Sequence, residues 1–219
     1  MKTALIFGSS GLIGNELFKT ILLNNSYDKI KVFVRSIPDV NNPKVEIIKT
    51  DFSNLEKCKD KIIGDDCFFC IGTTKKDTPD KDEYRRVEYD IPTEVAKITK
   101  ANSVKSFYYV SSIGANPNAS SSYLKNKGQV EEELKNLNFS KLAIIRPSLL
   151  VGKRKSFRLG EVIFTPIMNI LTFFVFGSLK KYKPIKIESV VKAILYISKN
   201  ESNKTVFESD ELEKIAKSD

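Results

Sequence analysis

The sequence contains no histidine and only three cysteines among its 219 residues. Without histidine, the chain cannot form a Ser–His–Asp triad or a Cys–His nucleophile. It also lacks the side chain that many protein zinc sites use. We therefore expect neither these nucleophilic mechanisms nor a metal site.

Two of the three cysteines, Cys67 and Cys70, form a C-x-x-C pattern, and the third is Cys58. The pattern lies in an apolar run that predicts a buried strand. Residues three apart on a strand point to opposite faces, so the two thiols are not expected to meet. Few, unpaired cysteines are typical of a reducing compartment. On this basis we expect a cytoplasmic protein.

Long apolar runs are also absent. Val162–Phe176 is shorter than the roughly 20 residues that a transmembrane helix needs, and it contains a proline and an asparagine. We interpret it as a lid or a buried helix beside the substrate; the alternative is contact with a membrane surface or a protein partner. The apolar run Ala4–Phe7 passes directly into a glycine turn, which predicts a first strand rather than a signal peptide.

The formal net charge is +9, from 36 Lys plus Arg against 27 Asp plus Glu. The lysines are scattered along the chain, without an arginine-rich helix or a stripe of basic and aromatic residues. This distribution favours a generally lysine-rich surface, and we expect no nucleic-acid partner.

Short apolar runs alternate with amphipathic segments, which is typical of parallel βαβ units. The predicted strands are Ala4–Phe7, Lys31–Val34, Val45–Ile48, Cys67–Ile71, Phe107–Val110 and Leu142–Ile145. The predicted helices between them are Leu12–Leu23, Asn54–Lys61, Tyr84–Ala101 and Tyr123–Leu137. The expected fold is an α/β doubly wound parallel β-sheet of the Rossmann type.

The alternation of short apolar runs with amphipathic segments ends after Arg146-Pro147. We expect one domain over residues 1–219, in which 148–185 forms a small substrate-side or lid region. The C-terminal part predicts a helix over Glu188–Ser198, followed by short elements at Thr205–Glu208 and Glu211–Ala216.

A G-x-x-G-x-x-G motif follows the first strand and opens the first helix; its glycines are Gly8, Gly11 and Gly14. Such glycines allow a tight turn, close approach of the backbone to a pyrophosphate, and close helix–sheet packing. The helix N-terminus would then bind the phosphates. The motif in this position predicts binding of a dinucleotide.

Arg35 stands after the second strand, where a protein that selects NAD places an acidic residue for the ribose 2′-hydroxyl. An arginine there suits a 2′-phosphate, so we expect a preference for NADP(H), with NAD(H) as the less favoured cofactor. Two weaker signals are Asp51-Phe52, where an acid would reach an adenine amino group, and Ile71-Gly72, where a glycine would lie against the cofactor.

Serine, tyrosine and lysine residues follow the fifth strand. These are residue types that can transfer a proton to or from a carbonyl or alcohol oxygen of a substrate. Ser111 and Ser112 come at the carboxyl end of that strand, and Tyr123 and Lys127 are four residues apart on one helix face. A free tyrosine has a pKa near 10, and a nearby ammonium favours its phenolate form. We predict Tyr123 as the acid–base group, Lys127 as its partner and ribose ligand, and a serine that holds the substrate oxygen.

Together these motifs resemble the short-chain dehydrogenase/reductase superfamily, and more narrowly its atypical NADP-binding branch. The resemblance extends over nearly the whole chain. It is carried by residues 70–74, 111–115, 123–131, 146–150, 154–161 and 176–178.

The resemblance implies roles for individual residues. Ser10, Gly11, Leu12 and Ile13 would contact the pyrophosphate, and Ile71 the adenosine side. Leu150 and Arg158 would close over the nicotinamide, and Ser112 rather than Ser111 would be the catalytic serine. One departure is Glu88, which stands where many relatives carry an asparagine, so a proton relay through that asparagine is in doubt.

The leading functional hypothesis is an NADP(H)-dependent oxidoreductase acting on a small carbonyl or alcohol. The alternatives are an NADPH-binding regulatory protein with little turnover, and an epimerase or dehydratase that uses bound NAD(P) catalytically. The expected partner is a small-molecule substrate, and the chain is expected to be a monomer or a homodimer.

Overall fold

The structure, a computed structural model, describes residues 1–152 and 177–218. Arg158 and the apolar run 162–176, for which the sequence predicts a role near the substrate, lie outside the described residues. None of the described helices combines the length and the apolar character that a membrane span requires.

Seven parallel strands form the central sheet in the order β3-β2-β1-β4-β5-β6-β9. Their bounds are β1 Thr3–Phe7, β2 Lys29–Val34, β3 Val45–Lys49, β4 Asp66–Phe69, β5 Ser106–Val110, β6 Lys141–Arg146 and β9 Val206–Glu208. A separate two-stranded parallel sheet pairs β7 (Leu150–Val151) with β8 (Ile185–Lys186). The predicted doubly wound parallel sheet is confirmed.

The α-helices in the described part of the chain are α1 Leu12–Leu23, α2 Lys81–Arg85, α3 Ile91–Ala101, α4 Ser122–Asn136, α5 Ile187–Lys199 and α6 Ser209–Ser218. In the same part of the chain, 3-10 helices span Leu55–Lys61 and Gly177–Tyr182. The first stands where the sequence predicts an α-helix over Asn54–Lys61. This segment is short, so an α-helix there would form few hydrogen bonds, and these would offset little of the free energy needed to nucleate the helix.

The predicted helix Tyr84–Ala101 is interrupted by a π-helical turn over Arg86–Asp90, which separates α2 from α3. Pro92 has no N–H to donate to the carbonyl of Glu88, and its ring would clash with that carbonyl in a regular α-helix. The wider turn accommodates the proline. It also determines where the Glu88 side chain lies.

Both faces of the sheet are buried. Ile6, Phe68 and Tyr108 belong to a core shared with α1, α5 and α6. Phe7, Phe69 and Tyr109 alternate with them and belong to a second core under α3 and α4. Strands covered on both faces are near-continuously apolar, which is why the short runs identify them.

The C-x-x-C pattern divides between these two cores. Cys67 lies in the core under α3 and α4, and Cys70 packs against the other core. Both thiols are free. The predicted separation of the two sulfurs is confirmed. The strand itself is shorter than predicted, because β4 ends at Phe69 and Cys70–Ile71 turns against the backbone of Gly8.

Candidate active site

In the turn between β1 and α1, the glycine backbone packs directly against other backbone atoms, with no side chain between them. Gly8 has a φ of 91°, and a Cβ on it would lie 2.8 Å from the carbonyl carbon of Cys70. A Cβ on Gly14 would lie only 2.1 Å from the carbonyl oxygen of Gly8. Side chains are therefore excluded at both positions, and β1, β4 and α1 meet at this turn.

The N-terminus of α1 is open to an anion. The helix begins after Gly11, which has no side chain to cap it, and its first turn contains no acidic residue. The Gly11 N–H donates to the carbonyl of Gly8 at 3.0 Å and closes the turn. The first amides of a helix have no intrahelical acceptor and carry the positive end of its dipole. The amides of Leu12 and Ile13, beside the exposed Ser10, can therefore bind phosphate oxygens.

Arg35 directly follows β2 at the same edge of the sheet. Its side chain is exposed. No residue within 1–152 or 177–218 forms a hydrogen bond or salt bridge with it. The guanidinium is thus available to a ligand that lies along the carboxyl edge of the strands.

The Asp51-Phe52 turn follows β3. The Asp51 carboxylate accepts hydrogen bonds from the Ser53 N–H and hydroxyl, at 2.8 and 2.7 Å, and these bonds lower the pKa of Asp51. Phe52 has a left-handed φ of 62°, and its buried ring lies 6.4 Å from that of Phe7. A contact of Phe52 with a cofactor is therefore limited to its main chain.

The Ile71-Gly72 turn lies close to Lys127, the predicted partner of Tyr123. Ile71 is half-buried and Gly72 is exposed. A Cβ on Gly72 would lie 3.3 Å from Oε1 of Glu88 and 3.8 Å from Nζ of Lys127. The loop after β4 therefore brings the expected adenosine-side residues against the expected chemical site.

The two serines after β5 are in different environments. Ser111 is buried and donates to Oε1 of Glu131 at 2.5 Å. Glu131 also accepts from Nε of Arg146 at 2.9 Å, and Arg146 in turn pairs with Glu208. The Ser111 hydroxyl thus belongs to a buried network that joins β5, α4, β6 and β9.

Ser112 is half-buried, and its hydroxyl makes a long 3.4 Å contact with the carbonyl of Ile113. It has no carboxylate partner among the described residues. Of the two hydroxyls, that of Ser111 is bound to a carboxylate and that of Ser112 is not. The assignment of Ser112 as the catalytic serine stays a prediction.

Tyr123 and Lys127 lie in the first turns of α4. Tyr123 is half-buried, whereas Lys127 is only 3% exposed. The Lys127 ammonium donates to the carbonyl of Val110 at 3.2 Å and lies 4.9 Å from the centre of the Tyr109 ring. The lysine thus joins α4 to the end of β5, next to Ser111-Ser112.

Glu88 makes contacts with Lys127 and Thr73 that were not predicted from the sequence. It is 1% exposed, and its Oε2 lies 3.2 Å from Nζ of Lys127. Its Oε1 accepts a hydrogen bond from the Thr73 N–H at 2.5 Å. Burial alone would lower the pKa of Lys127, but Glu88 and the neighbouring phenols outweigh it and raise that pKa. The signal in the sequence was an acid four residues before Pro92, where a helix cannot continue regularly.

Leu150, expected at the nicotinamide end, is half-buried on β7 and packs against the core shared with α1 and α5. Arg158, expected beside it, lies outside the described residues.

Solved structures of similar fold include a complex with NAD+. The chain superposes on the Bordetella bronchiseptica enzyme WbmH in complex with NAD+ with a TM-score of 0.69 and 17% identity, over 95% of this chain and 76% of that one. A UDP-glucose 4-epimerase from Thermotoga maritima gives a TM-score of 0.70 and 15% identity, over 99% and 82%. At these identities the similarity establishes the Rossmann fold.

Curated relatives are more similar in sequence. The mitochondrial protein FMP52 of Debaryomyces hansenii is 32% identical over 90% of this chain and 87% of its own length. The HTATIP2 protein of Rattus norvegicus is 34% identical over 73% of this chain and 67% of its own length.

The cytoplasmic location expected from the cysteines is wrong by this comparison. FMP52 relatives from Debaryomyces hansenii, Candida glabrata and Scheffersomyces stipitis are all mitochondrial proteins. Cysteine content reports the redox conditions of a compartment and does not identify the organelle.

A sequence model of the NAD(P)H-binding family matches residues 8–161, which begins at the first glycine of the turn and extends beyond Tyr123 and Lys127. The match covers well over half of the chain. The chain is therefore a member of the NAD(P)H-binding family, of the atypical short-chain dehydrogenase/reductase type.

Proposed function

We propose that this protein is an NADP(H)-dependent oxidoreductase that interconverts a small carbonyl compound and its alcohol. The observation that carries the proposal is the position of Lys127. Its ammonium is buried beneath the loop after β4 and bound to the last residue of β5, while Tyr123 lies one helical turn away on the same face of α4. Ser112 follows β5 at the same edge of the sheet.

The residues of the glycine turn fit a dinucleotide. Gly8 and Gly14 exclude side chains from the turn, and the uncapped start of α1 offers amides to a pyrophosphate. A reduced dinucleotide bound there would supply a hydride, which is one proton with two electrons, to the carbonyl carbon. The matching proton must come from the protein.

Tyr123 is the group proposed to move that proton. Its phenol would donate to the substrate oxygen in reduction and accept from the alcohol in oxidation, and the Ser112 hydroxyl would hold the same oxygen. A positioned acid–base group of this kind contributes about 10²–10⁴-fold to a rate. The Lys127 ammonium has three N–H groups. One of them donates to the carbonyl of Val110, and the ammonium forms an ion pair with Glu88; another N–H would donate to a ribose hydroxyl.

Arg35 supports the choice of NADP(H). Its exposed guanidinium follows β2 and is without a partner among the described residues. A planar guanidinium can bind a phosphate through two parallel hydrogen bonds. The ribose 2′-phosphate of NADP(H) would provide that group, and NAD(H) has none.

The test combines binding and turnover. Calorimetric titration with NADPH should give saturable heat, and a panel of aldehydes and ketones should contain a substrate that consumes NADPH. The Tyr123→Phe variant should bind NADPH with unchanged affinity and lose turnover by about 10²-fold or more. Tyr196→Phe, on α5, serves as the matched control and should retain both.

Three results would count against the proposal. Absence of NADPH binding would remove the dinucleotide site. Full activity in Tyr123→Phe would remove the proton-transfer role. Tight binding without net NADPH consumption on any carbonyl would favour a regulatory protein or an enzyme that regenerates its bound cofactor in each cycle.

A further inference from the structure

Glu131 on α4 and Arg146 at the end of β6 form a buried ion pair beside the loop that carries Ser112. Glu131 is 1% exposed, and its two oxygens accept hydrogen bonds from Nε and Nη2 of Arg146, at 2.9 and 2.5 Å. Two parallel bonds between a guanidinium and a carboxylate fix the orientation of both groups as well as their separation. The pair therefore holds one defined geometry next to the proposed catalytic site.

The same two side chains bind the loop on both sides of Ser112. On one side, the Ser111 hydroxyl donates to Oε1 of Glu131 at 2.5 Å. On the other side, Nη2 of Arg146 donates to the carbonyl of Ala115 at 3.2 Å. The Ala115 N–H in turn donates to the carbonyl of Ser112 at 3.1 Å and closes the turn. The serine proposed to hold the substrate oxygen thus lies between two anchors that one ion pair provides.

The loop is also joined to the helix that bears Tyr123. The N–H of Asn116 donates to the carbonyl of Leu124 at 3.1 Å, and Leu124 directly follows Tyr123. Glu131 lies about two helical turns further along α4. The helix therefore holds the loop at two points, through its backbone beside Tyr123 and through the Glu131 side chain. The position of Ser112 relative to Tyr123 depends on both.

The ion pair offers the loop hydrogen bonds that apolar side chains could not offer. Removing two charges from water costs about as much free energy as their attraction returns, so a buried pair is a weak source of stability compared with apolar residues of similar size. The carboxylate, however, supplies an acceptor for a serine hydroxyl, and the guanidinium supplies a donor for a loop carbonyl. Nη1 of Arg146 also donates to Glu208 on β9 at 3.0 Å, which fixes the guanidinium from its other end.

We propose that Glu131 and Arg146 are positioning residues that hold the Ser112 hydroxyl at the substrate oxygen. This inference rests on the proposed function, in which Ser112 holds that oxygen while Tyr123 moves the proton. The Ser112 hydroxyl makes only a long 3.4 Å contact with the carbonyl of Ile113, so its own hydrogen bond defines its position weakly. The anchors on either side supply that definition. A displacement of about 1 Å at a reacting group can cost about 10²-fold in rate.

The experiment measures kcat and KM for carbonyl reduction in Glu131→Gln, in Ser112→Ala and in the double variant. Glu131→Gln removes the charge at nearly constant volume, and Ser111→Ala removes one anchor while the ion pair stays in place. Glu132→Gln, an exposed change on the same helix, is the matched control. Circular dichroism establishes which variants are folded, and calorimetric titration gives their affinity for NADPH.

Glu131→Gln should lower kcat/KM by about tenfold to 100-fold. Its affinity for NADPH should be unchanged, because the glycine turn follows β1, which β4 and β5 separate from β6. Ser112→Ala should lower kcat/KM by about 10²-fold or more, as the loss of one donor to a reacting oxygen does. Glu132→Gln should match the wild type.

The double variant separates positioning from a general loss of structure. If Glu131 acts through the Ser112 hydroxyl, Glu131→Gln should cost less than about twofold once that hydroxyl is absent. A merely structural role would reduce the rate by the same factor in both backgrounds. Equal factors in the two backgrounds, or wild-type kinetics in Glu131→Gln, would overturn the inference.

Amide hydrogen exchange tests the anchors without turnover. The N–H groups of Ile113 and Ala115 donate to the carbonyls of Pro147 and Ser112, and both amides should be protected in the wild type. In Glu131→Gln they should exchange about tenfold faster or more, as expected for the loss of a charged hydrogen bond. Exchange as slow as in the wild type would show that the pair does not hold the loop.

Two further outcomes are also decisive. If Glu131→Gln does not fold, Ser111→Ala takes its place: it should lower kcat/KM by about tenfold, and this effect should disappear in the Ser112→Ala background. If the wild type consumes no NADPH with any carbonyl, the proposed function fails, and the exchange rates alone decide whether the pair holds the loop. Turnover in the wild type with unchanged kinetics in Glu131→Gln removes the inference and leaves the function intact.

Discussion

The backbone of Gly128 on α4 packs directly on the backbone of Asn116, so that a Cβ on the glycine would lie 2.3 Å from the carbonyl carbon of Asn116. Asn116 belongs to the loop that carries Ser112 away from β5, and Gly128 is next to Lys127. The contact therefore sets the distance between the serine loop and the helix that bears Tyr123 and Lys127.

Gly128→Ala should destabilise the protein, although the same change in an ordinary helix stabilises it by about 1 kcal/mol. The added methyl cannot be accommodated without moving α4 or the loop, which typically costs about 1–3 kcal/mol. Urea unfolding measures the difference. Glu132→Ala, an exposed change on the same helix, is the control and should be nearly neutral. A stabilised Gly128→Ala protein would contradict this packing.

Arg35→Ala should lower the affinity for NADPH by about tenfold or more, because a charged hydrogen bond contributes about 1.5–3 kcal/mol. Affinity for NADH should be unchanged, and Arg35→Asp should prefer NADH. Calorimetry at one fixed salt concentration provides the comparison. Lys105→Asp, just before β5 at the opposite edge of the sheet, controls for a general change of charge. Equal losses for both dinucleotides would refute the assignment of Arg35 to the 2′-phosphate.

Local patterns allowed much of the fold to be predicted. The bounds of α1 agree with the structure because the glycine turn and the apolar spacing lie in the same short segment. The alternation of short apolar runs with amphipathic segments predicted the doubly wound parallel sheet, and the structure supplies the order of its strands. The seventh strand, β9, is short, and only its pairing with β6 identifies it as part of the main sheet.

The contacts between distant residues could not be predicted in the same way. Glu88 lies in the π-helical turn that precedes Pro92, and the periodicity of the sequence does not predict which direction a side chain takes from such a turn. Likewise, the pairing of Ser111 with Glu131 depends on how α4 lies across the end of β5. The residue types at the site could thus be predicted from the sequence. Which charged side chains pair with one another could be found only from the three-dimensional structure.

Tyr84→Phe should reduce the loss of stability at alkaline pH. The pKa of Tyr84 is raised from its ordinary value of 10.0 to about 12, chiefly by burial and then by Glu88. Between these values the unfolded chain loses the phenolic proton while the folded protein keeps it, so the free energy of unfolding falls as pH rises from 10. Burial also raises the pKa values of Tyr27, Tyr108 and Tyr109, so the fall should be reduced and not abolished.

Urea unfolding at pH 9, 10 and 11 measures the slope in wild type and Tyr84→Phe. Tyr182→Phe, which changes an exposed tyrosine, should leave the slope unchanged. Identical slopes for Tyr84→Phe and wild type would show that the Tyr84 phenol titrates alike in the folded and unfolded chains.

Lys127→Met should destabilise the protein strongly, by about 3–5 kcal/mol, because it leaves the Glu88 carboxylate buried without its counter-charge. Glu88→Gln alone should also destabilise, since it leaves a buried ammonium unpaired. The double variant removes both charges and should be more stable than the sum of the two single changes implies, by at least about 1 kcal/mol. Lys125→Met, on the exposed side of the same helix, should stay within about 0.5 kcal/mol of the wild type. Additive losses in the double variant would mean that the two charges do not interact in the folded protein.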